Sequence, residues 1–312
     1  MKFSIENDIR IVEVPVKDLR VILYDGPKKA MGPNRCNAGF FGGYKEQGDL
    51  FTLPVGHLIA DFEATSEWTR KYCQERGTIK GGKVHHNANA YPNDFKGKRL
   101  STLVVSGARA NILDLLQVPA AYEYAISGIP VMRGGKAVEY VAAQAQGWEA
   151  SSLYGTMHIF VGIKSQTAAS VYVMAMKTTS GNLLKTKEVY RKFRALGMRN
   201  VIKLDGGGSF YFNAAGNTLA TSENRRVCTI LDFGTPDGNP YAAPTKTLLL
   251  GSGNKSGVYW LQWELTAHGF PCEVDGSFGP ATLRQLMAYQ KANGLEVDGR
   301  CGPATRASLL KK

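Results

Sequence analysis

The stretch Val201-Ile-Lys-Leu-Asp-Gly-Gly-Gly-Ser-Phe210 organises the reading of this chain. A short apolar run that stops at Asp205 and three glycines predicts a buried strand delivering its last side chain to a rim, where backbone without Cβ atoms lets a ligand approach. Successive amides of Gly206, Gly207 and Gly208 can form a concavity for an anion. Asp205 beside them can act as base, nucleophile or orienter, and the alternative is a tight turn that the acid merely caps.

Upstream, apolar residues at Leu183, Leu184, Val189, Phe193 and Leu196 predict a helix that ends at Gly197 and leads into the Asp205 strand. Met157–Ile163 and Ser170–Met176 read as two central strands, with the polar residues His158 and Lys177 at their ends. Strand, helix and strand in succession predict parallel pairing of the second strand and the Asp205 strand, with a site at the carboxyl end. Ile9–Val14 and Leu19–Tyr24 alternate as a pair of strands, Leu53–Ala60 and Ser101–Val105 as further strands, and Ala110–Leu116 reads as a short helix. Tyr124–Met132 leads to a turn at Gly134-Gly135, and Asn224–Asp232 forms a last strand entered through two arginines. In Cys36-Asn-Ala-Gly-Phe-Phe-Gly-Gly43, Asn37 and Gly39 flank a candidate rim, unless Phe40 and Phe41 simply fill the core. The fold class expected is α/β, a mixed sheet with covering helices, followed by a small all-α domain.

At 312 residues and 44% hydrophobic content the chain suits about two domains with real cores. No apolar run reaches the roughly 18 to 20 residues of a membrane span, and the first residues carry acids where a signal peptide would be apolar. Five cysteines, odd in number and without CxxC spacing, indicate neither a disulfide framework nor a zinc site. Adjacent His85 and His86 point opposite ways on a strand and make poor co-ligands, so no metal or other cofactor is expected. The net charge of +12 favours polyanionic partners. Nucleic acid is not expected, because zinc-finger spacing, a basic helix and an aromatic-basic RNA signature are all missing. A monomer is expected.

The C-terminal part contains a repeat: Val274-Asp-Gly-Ser-Phe-Gly-Pro-Ala-Thr-Leu283 recurs as Val297-Asp-Gly-Arg-Cys-Gly-Pro-Ala-Thr-Arg306. Each Asp-Gly makes a turn, and each Gly-Pro-Ala-Thr starts a helix with proline at its first position. Helices over Ala281–Asn293 and Ala304–Leu310, preceded by one over Gly257–His268, give a three-helix module. The region closely resembles the peptidoglycan-binding domain of wall hydrolases. That resemblance implies a wall glycopeptide as partner, with Asp275, Phe278, Tyr289 and Gln290 as candidate contacts, each equally readable as structural. The expected division is 1–234, a linker at 235–245, and 246–312.

Asn37-Ala-Gly-Phe-Phe41, Pro54-Val-Gly56, Gly128-Ile-Pro130, Leu204-Asp-Gly-Gly-Gly-Ser209 and Arg225-Arg-Val227 follow the order seen in phosphodiester glycosidases, the family of N-acetylglucosamine-1-phosphodiester alpha-N-acetylglucosaminidase, which the region Val12–Phe233 resembles. The resemblance implies hydrolysis of a sugar C1–O–phosphodiester bond. Relatives show Arg-Thr where this chain has His158-Ile159, and Asp-Gly-Arg where it has Ala175-Met-Lys177. An imidazole and an ammonium cannot grip phosphate oxygens in the bidentate manner of guanidinium.

Cleaving a glycosyl phosphate requires an oxocarbenium-like transition state to be stabilised and an anionic leaving group to be accepted. Arg225, Lys177, His158, Ser209 and the amides of Gly206 to Gly208 are the candidate phosphate contacts, with a surface strand cation as the alternative for Arg225 and a satisfied core histidine as the alternative for His158. Asp205 would activate water or shield the anomeric carbon, with Glu63, or Asp61, as a second carboxylate. The expectation is a wall-directed hydrolase, such as a phage lysin, acting on an anionic wall glycopolymer such as teichoic acid, at the cell wall or outside the cell. The alternative is a non-catalytic wall-binding or virion protein on a degenerate glycosidase fold.

Overall fold

The computed structural model describes residues 1–6, 8–46, 49–63, 67–75, 79–88, 95–148, 153–178, 181–184, 188–234 and 238–311. Asn89, residues 185–187 of the expected helix, residues 235–237 of the expected linker and the Cys73 side chain lie outside the described structure. Two compact units emerge: Glu6–Ala214 with Thr218–Gly234, and Thr235–Lys312 with Met1–Ile5 and Ala215–Asn217.

In the larger unit, one sheet runs in the order Ile9–Pro15, Ser170–Lys177, Met157–Ile163, Asn200–Gly206, Ile129–Arg133, Lys136–Ala137. Every one of these neighbouring pairs is antiparallel. The strand-helix-strand expectation therefore needs correcting. Ser170–Lys177 and Asn200–Gly206 do run parallel, but Met157–Ile163 lies between them and pairs with both. A hairpin claims the inner edge of Ser170–Lys177 first, so the helical crossover must step over one strand.

The crossover helix, Glu188–Ala195, buries Val189 and Phe193 against Ile9, Ile11, Phe160, Met174, Met176 and Val201. Phe193 meets Phe160 edge-on at 4.9 Å. At its end, Met198 N–H donates to Phe193 O and Gly197 N–H to Arg194 O, both at 3.0 Å, with Gly197 at φ +71°. This paired cap satisfies two of the last helical carbonyls and requires the left-handed residue that glycine supplies.

The second sheet runs Arg109–Leu115, Leu100–Ser106, Tyr124–Ser127, Leu58–Phe62, Arg20–Pro27, Arg226–Asp232, Arg35–Asn37, Tyr211–Ala214. It is mixed, because Arg20–Pro27 and Leu58–Phe62 are parallel. Three readings of local sequence change here. The strands at Ile9 and Arg20 do not pair but enter different sheets. Ala110–Leu116 is a strand, not a helix: Gly107 at φ +54° closes a tight hairpin, and the ladder to Leu100–Ser106 overrides helical propensity. The run Leu53–Ala60 breaks into Asp49–Pro54 and Leu58–Phe62, since Pro54 cannot donate to a continuing ladder. Sheets dominate this unit. Its described helices are the short ones at Glu67–Glu75, Tyr140–Ala145 and Glu188–Ala195.

In the smaller unit, helices span Lys255–Ala267, Pro280–Ala292 and Pro303–Leu309. Asn254 caps the first, accepting from Gly257 N–H at 3.1 Å, and proline opens the other two. The repeat reappears as two equivalent polar nodes. Gln262 Nε2 donates to Asp275 Oδ1 (2.7 Å), Ser277 O (3.0 Å) and Thr282 Oγ1 (3.1 Å), while its Oε1 accepts from Gly276 N–H (2.9 Å). Gln290 Nε2 donates to Asp298 Oδ1 (2.8 Å), Arg300 O (3.0 Å) and Thr305 Oγ1 (3.2 Å), and its Oε1 accepts from Gly299 N–H (3.0 Å). Each copy thus ties the turn to the helix before it and the helix after it.

Truncating Phe193 to alanine should remove about 3–5 kcal/mol of stability from the larger unit by leaving a cavity under its crossover helix. Urea unfolding followed by circular dichroism measures it, and a loss below about 1 kcal/mol would contradict this packing.

Candidate functional site

The Asp205 turn is the point at which the chain leaves one sheet for the other, between Asn200–Gly206 and Tyr211–Ala214. Asn37, 1% exposed, holds both ends of it. Its Nδ2 donates to Asp205 O at 3.0 Å and its Oδ1 accepts from Tyr211 N–H at 2.8 Å, while Asp205 N–H donates to Ala38 O at 2.7 Å. Asn37 is therefore a scaffold residue of the turn. Gly39 lies behind it, donating to Thr229 Oγ1 at 2.6 Å, and a Cβ there would stand 2.8 Å from that oxygen.

The glycines are fixed by geometry. A Cβ at Gly206 would meet Met157 O at 2.5 Å, and Gly207 adopts φ +55° at the start of a short 3-10 turn. The Gly206 amide is already used, donating to Asp205 Oδ1 at 2.8 Å, so among the three glycine amides those of Gly207 and Gly208 are the better candidates for an external anion. Asp205 to Gly208 are half-buried and reach solvent, whereas Ser209 is buried and hydrogen-bonds the carboxylate. Burial pushes the Asp205 carboxyl above the usual carboxylate range, against the opposing influence of Lys203, Ser209, the Gly206 amide and Arg225.

Two cations serve this acid, and each stands over an aromatic ring. Lys203, 2% exposed, donates from Nζ to Leu204 O at 2.9 Å and lies 4.8 Å from the Phe40 ring centre. Burial pulls its ammonium down to about 8, with Asp205 resisting. Exposed Arg225 lies with Cζ 5.6 Å from the Phe41 ring centre. A Cβ at Gly208 would stand 3.0 Å from Arg225 Nη1 and 2.6 Å from Glu223 Oε2, so these two charges border the turn. Phe40 and Phe41 thus serve as cation platforms as well as core neighbours. Beneath the turn, buried Lys28 donates from Nζ to Gly208 O at 2.7 Å and to Thr221 Oγ1. Burial lowers its ammonium too.

Other expected residues take different places. His158 sits beside Gly206 in the ladder but is 1% exposed, its Nε2 hydrogen-bonded to Gly155 O (3.2 Å) and Thr178 Oγ1 (3.0 Å). Burial first, and Lys203 second, lower its imidazole to about 3. The expectation of a phosphate contact at His158 is corrected in favour of its alternative, a satisfied core histidine: the ring is buried, hydrogen-bonded and neutral. Because a carbonyl only accepts, Nε2 carries the proton and Nδ1 is an acceptor, buried without a partner among the described residues. Lys177 is exposed at its strand end, opposite Met157, whose carbonyl abuts Gly206.

Glu63 belongs to an ion network with Arg20 (3.4 Å) and Arg35 (3.7 Å). Asp61 joins the same network through Arg20 (2.7 Å) and Lys83 (2.8 Å). Neither is among the groups acting on Asp205. Among the described residues no cluster of three or more His, Cys, Asp or Glu could hold a metal ion, and no helix is long and apolar enough to cross a membrane.

Sequence reading missed Lys203, Lys28 and Glu223. The signal for Lys203 was present, a charge inside an apolar run two residues before Asp205 and therefore on the same side of the strand. Lys28 and Glu223 had none. In the smaller unit, Phe278 (2% exposed), Tyr289 (1%) and Gln290 (0%) are interior, and exposed Asp275 is held in the Gln262 node. These positions build the scaffold.

Residues 254–309 match the peptidoglycan binding domain family. No curated protein matches the sequence. Among solved structures, the chain is similar to the zebrafish N-acetylglucosamine-1-phosphodiester alpha-N-acetylglucosaminidase catalytic domain auto-inhibited by its pro-peptide, at 14% identity and TM-score 0.48, covering 75% of this chain and 81% of that one. It is also similar to a hypothetical protein from Synechocystis, at 13% identity and TM-score 0.41, covering 74% of this chain and 60% of that one.

A buried ammonium with a depressed pKa costs the native state stability wherever it must be charged. That cost is fully present below pH 8 and is relieved as pH rises from about 8 toward the unfolded value near 10.5. The difference in unfolding free energy between the wild type and Lys203→Met should therefore shift by up to a few kcal/mol in favour of the wild type between pH 7.5 and pH 10. Urea titrations at both pH values measure it, and a pH-independent difference would show that Lys203 titrates normally.

Proposed function

We propose that this protein is a cell-wall-associated hydrolase whose larger unit cleaves a sugar 1-phosphodiester and whose smaller unit holds it on peptidoglycan. The observation that carries the proposal is the Asp205 turn: a half-buried aspartate whose carboxyl is pushed up by burial, and a glycine backbone bordered by Arg225, with Lys203 buried behind. The match of residues 254–309 to a peptidoglycan binding domain supplies the location. The motif resemblance of Val12–Phe233 to phosphodiester glycosidases supplies the reaction class.

In this reading Arg225 and the amides of Gly207 and Gly208 take the charge of the phosphodiester, and Asp205 activates the water or shields the anomeric carbon. Because the leaving group is already an acidic phosphate, the site needs little general-acid help. The pKa of Asp205 is raised by burial, so at neutral pH Lys203 is the charge that favours the ionised, water-activating form. The natural substrate class is the sugar-phosphate junction of an anionic wall glycopolymer such as teichoic acid. Its polyanionic character suits the chain's net charge of +12. A tethered wall-binding module raises the local concentration of that substrate.

A second reading, a non-catalytic wall-binding or virion protein, is favoured by one observation. His158 and Lys177 stand where relatives place an Arg-Thr pair and a guanidinium, and His158 is buried and neutral. A chromogenic N-acetylglucosamine 1-phosphodiester separates the two. Hydrolysis by the wild type, reduced about 100-fold or more in Asp205→Asn and about 10- to 1,000-fold in kcat/KM in Arg225→Ala, supports the enzyme. Absence of turnover on that compound and on teichoic-acid-bearing walls, with wall binding retained, supports the second reading.

A further inference from the structure

Lys28 is 0% exposed, and its ammonium meets neutral oxygens: Nζ donates to Gly208 O at 2.7 Å and to Thr221 Oγ1. A buried charge without a counter-charge is costly, and replacing such a group by an apolar one of similar volume is often neutral or stabilising. Hydrogen-bond satisfaction does not account for the lysine. Thr221 Oγ1 itself donates to Gly208 O at 3.1 Å, so that carbonyl keeps a partner without Lys28. The charge is surplus to the needs of the fold.

Its surroundings are lopsided as well. Glu223 is the acid that acts on Lys28, opposed by Arg225 and Lys29, so three cations crowd against one anion. The main chain of Lys28 is tied to the same group: its N–H donates to Arg225 O at 3.1 Å, and the N–H of Lys29 donates to Asn224 Oδ1 at 3.2 Å. With its backbone on Arg225 and its ammonium on Gly208, one residue fixes the exposed guanidinium relative to the glycine turn. Gly207 O accepts from Phe210 N–H at 3.0 Å, so in that trans peptide the Gly208 N–H points the opposite way.

We propose that Lys28 is the positioning residue of an anion site at this turn, holding Gly208 and Arg225 in the arrangement that receives a phosphate group and supplying from below a charge that the phosphate balances. The assignment rests on the anion-receiving role given to the turn above. A charge in a water-poor interior acts on a neighbouring anion more strongly than one in solvent. No carboxylate neutralises this ammonium among the described residues, so its field is available at the turn. An arriving phosphate supplies the missing counter-charge and relieves the crowding of Lys28, Lys29 and Arg225.

The test uses the full chain with inorganic phosphate, followed by phosphorus NMR line broadening and by inhibition of chromogenic N-acetylglucosamine 1-phosphodiester hydrolysis. In Lys28→Met the melting temperature should stay level or rise while phosphate binding weakens at least tenfold, a split that a purely structural lysine would not produce. Combined with Arg225→Ala, Lys28→Met should cost less than the product of the two separate fold-losses, because it acts partly through the guanidinium. Should Lys28→Met not fold, Thr221→Val decides: it removes one of the two oxygens that anchor the ammonium and should weaken phosphate binding at least threefold. Unchanged phosphate affinity in the folded variant overturns the role of Lys28 while leaving the hydrolase reading intact. A wild type that binds phosphate but hydrolyses nothing removes the hydrolase reading, and the affinities of the variants still decide the role of Lys28. A wild type that neither binds phosphate nor hydrolyses overturns both.

Discussion

The side chain of Asn37 is the constraint on which the larger unit turns. It is buried in one sheet, and its amide spans the four-residue passage by which the chain moves to that sheet from the other, donating to the carbonyl of Asp205 and accepting from the amide of Tyr211. Backbone groups leaving one ladder before entering another would otherwise be buried without partners, at a cost of about 1–3 kcal/mol each. A single bifunctional side chain resolves this and at the same time fixes where the Asp205 carboxyl emerges. Connectivity and chemistry are therefore set by one residue.

Around that fixed passage the electrostatics follow from burial. A carboxyl raised by desolvation and an ammonium lowered by it sit two residues apart on one strand, each opposing the other's shift. The imidazole of His158, in the same neighbourhood, loses its charge because it is buried and because Lys203 already holds one. The aromatic pair Phe40-Phe41 offers ring faces to Lys203 and Arg225, and both cations act on the Asp205 carboxyl.

How much of this could be read from the letters depends on whether the signal was local. The repeat at Val274 and Val297 has fixed turn and helix-start chemistry, and both copies form the elements that chemistry predicts. The glycines after Asp205 likewise mark a turn whose close approaches are real. Pairing was not local. The strands at Ile9 and Arg20 alternate identically yet join different sheets, and Ala110–Leu116 carries residues compatible with a helix until a tight hairpin claims it. Candidate contacts chosen for their place in a motif, such as Phe278 and Gln290, proved interior because a motif marks what builds a fold before it marks what the fold touches.

The twin glutamine nodes have a consequence for how the helical unit can diverge. Each node uses a backbone amide, a backbone carbonyl and three short side chains, so the letter after Asp-Gly is unconstrained: Ser277 in one copy is Arg300 in the other. The next letter is constrained only to be interior, Phe278 in one and Cys301 in the other. Duplicated scaffolding of this kind leaves the outward positions of the two halves free to specialise separately, so the two halves of a symmetric frame need not read the same ligand, and asymmetry of recognition is available without any change of architecture.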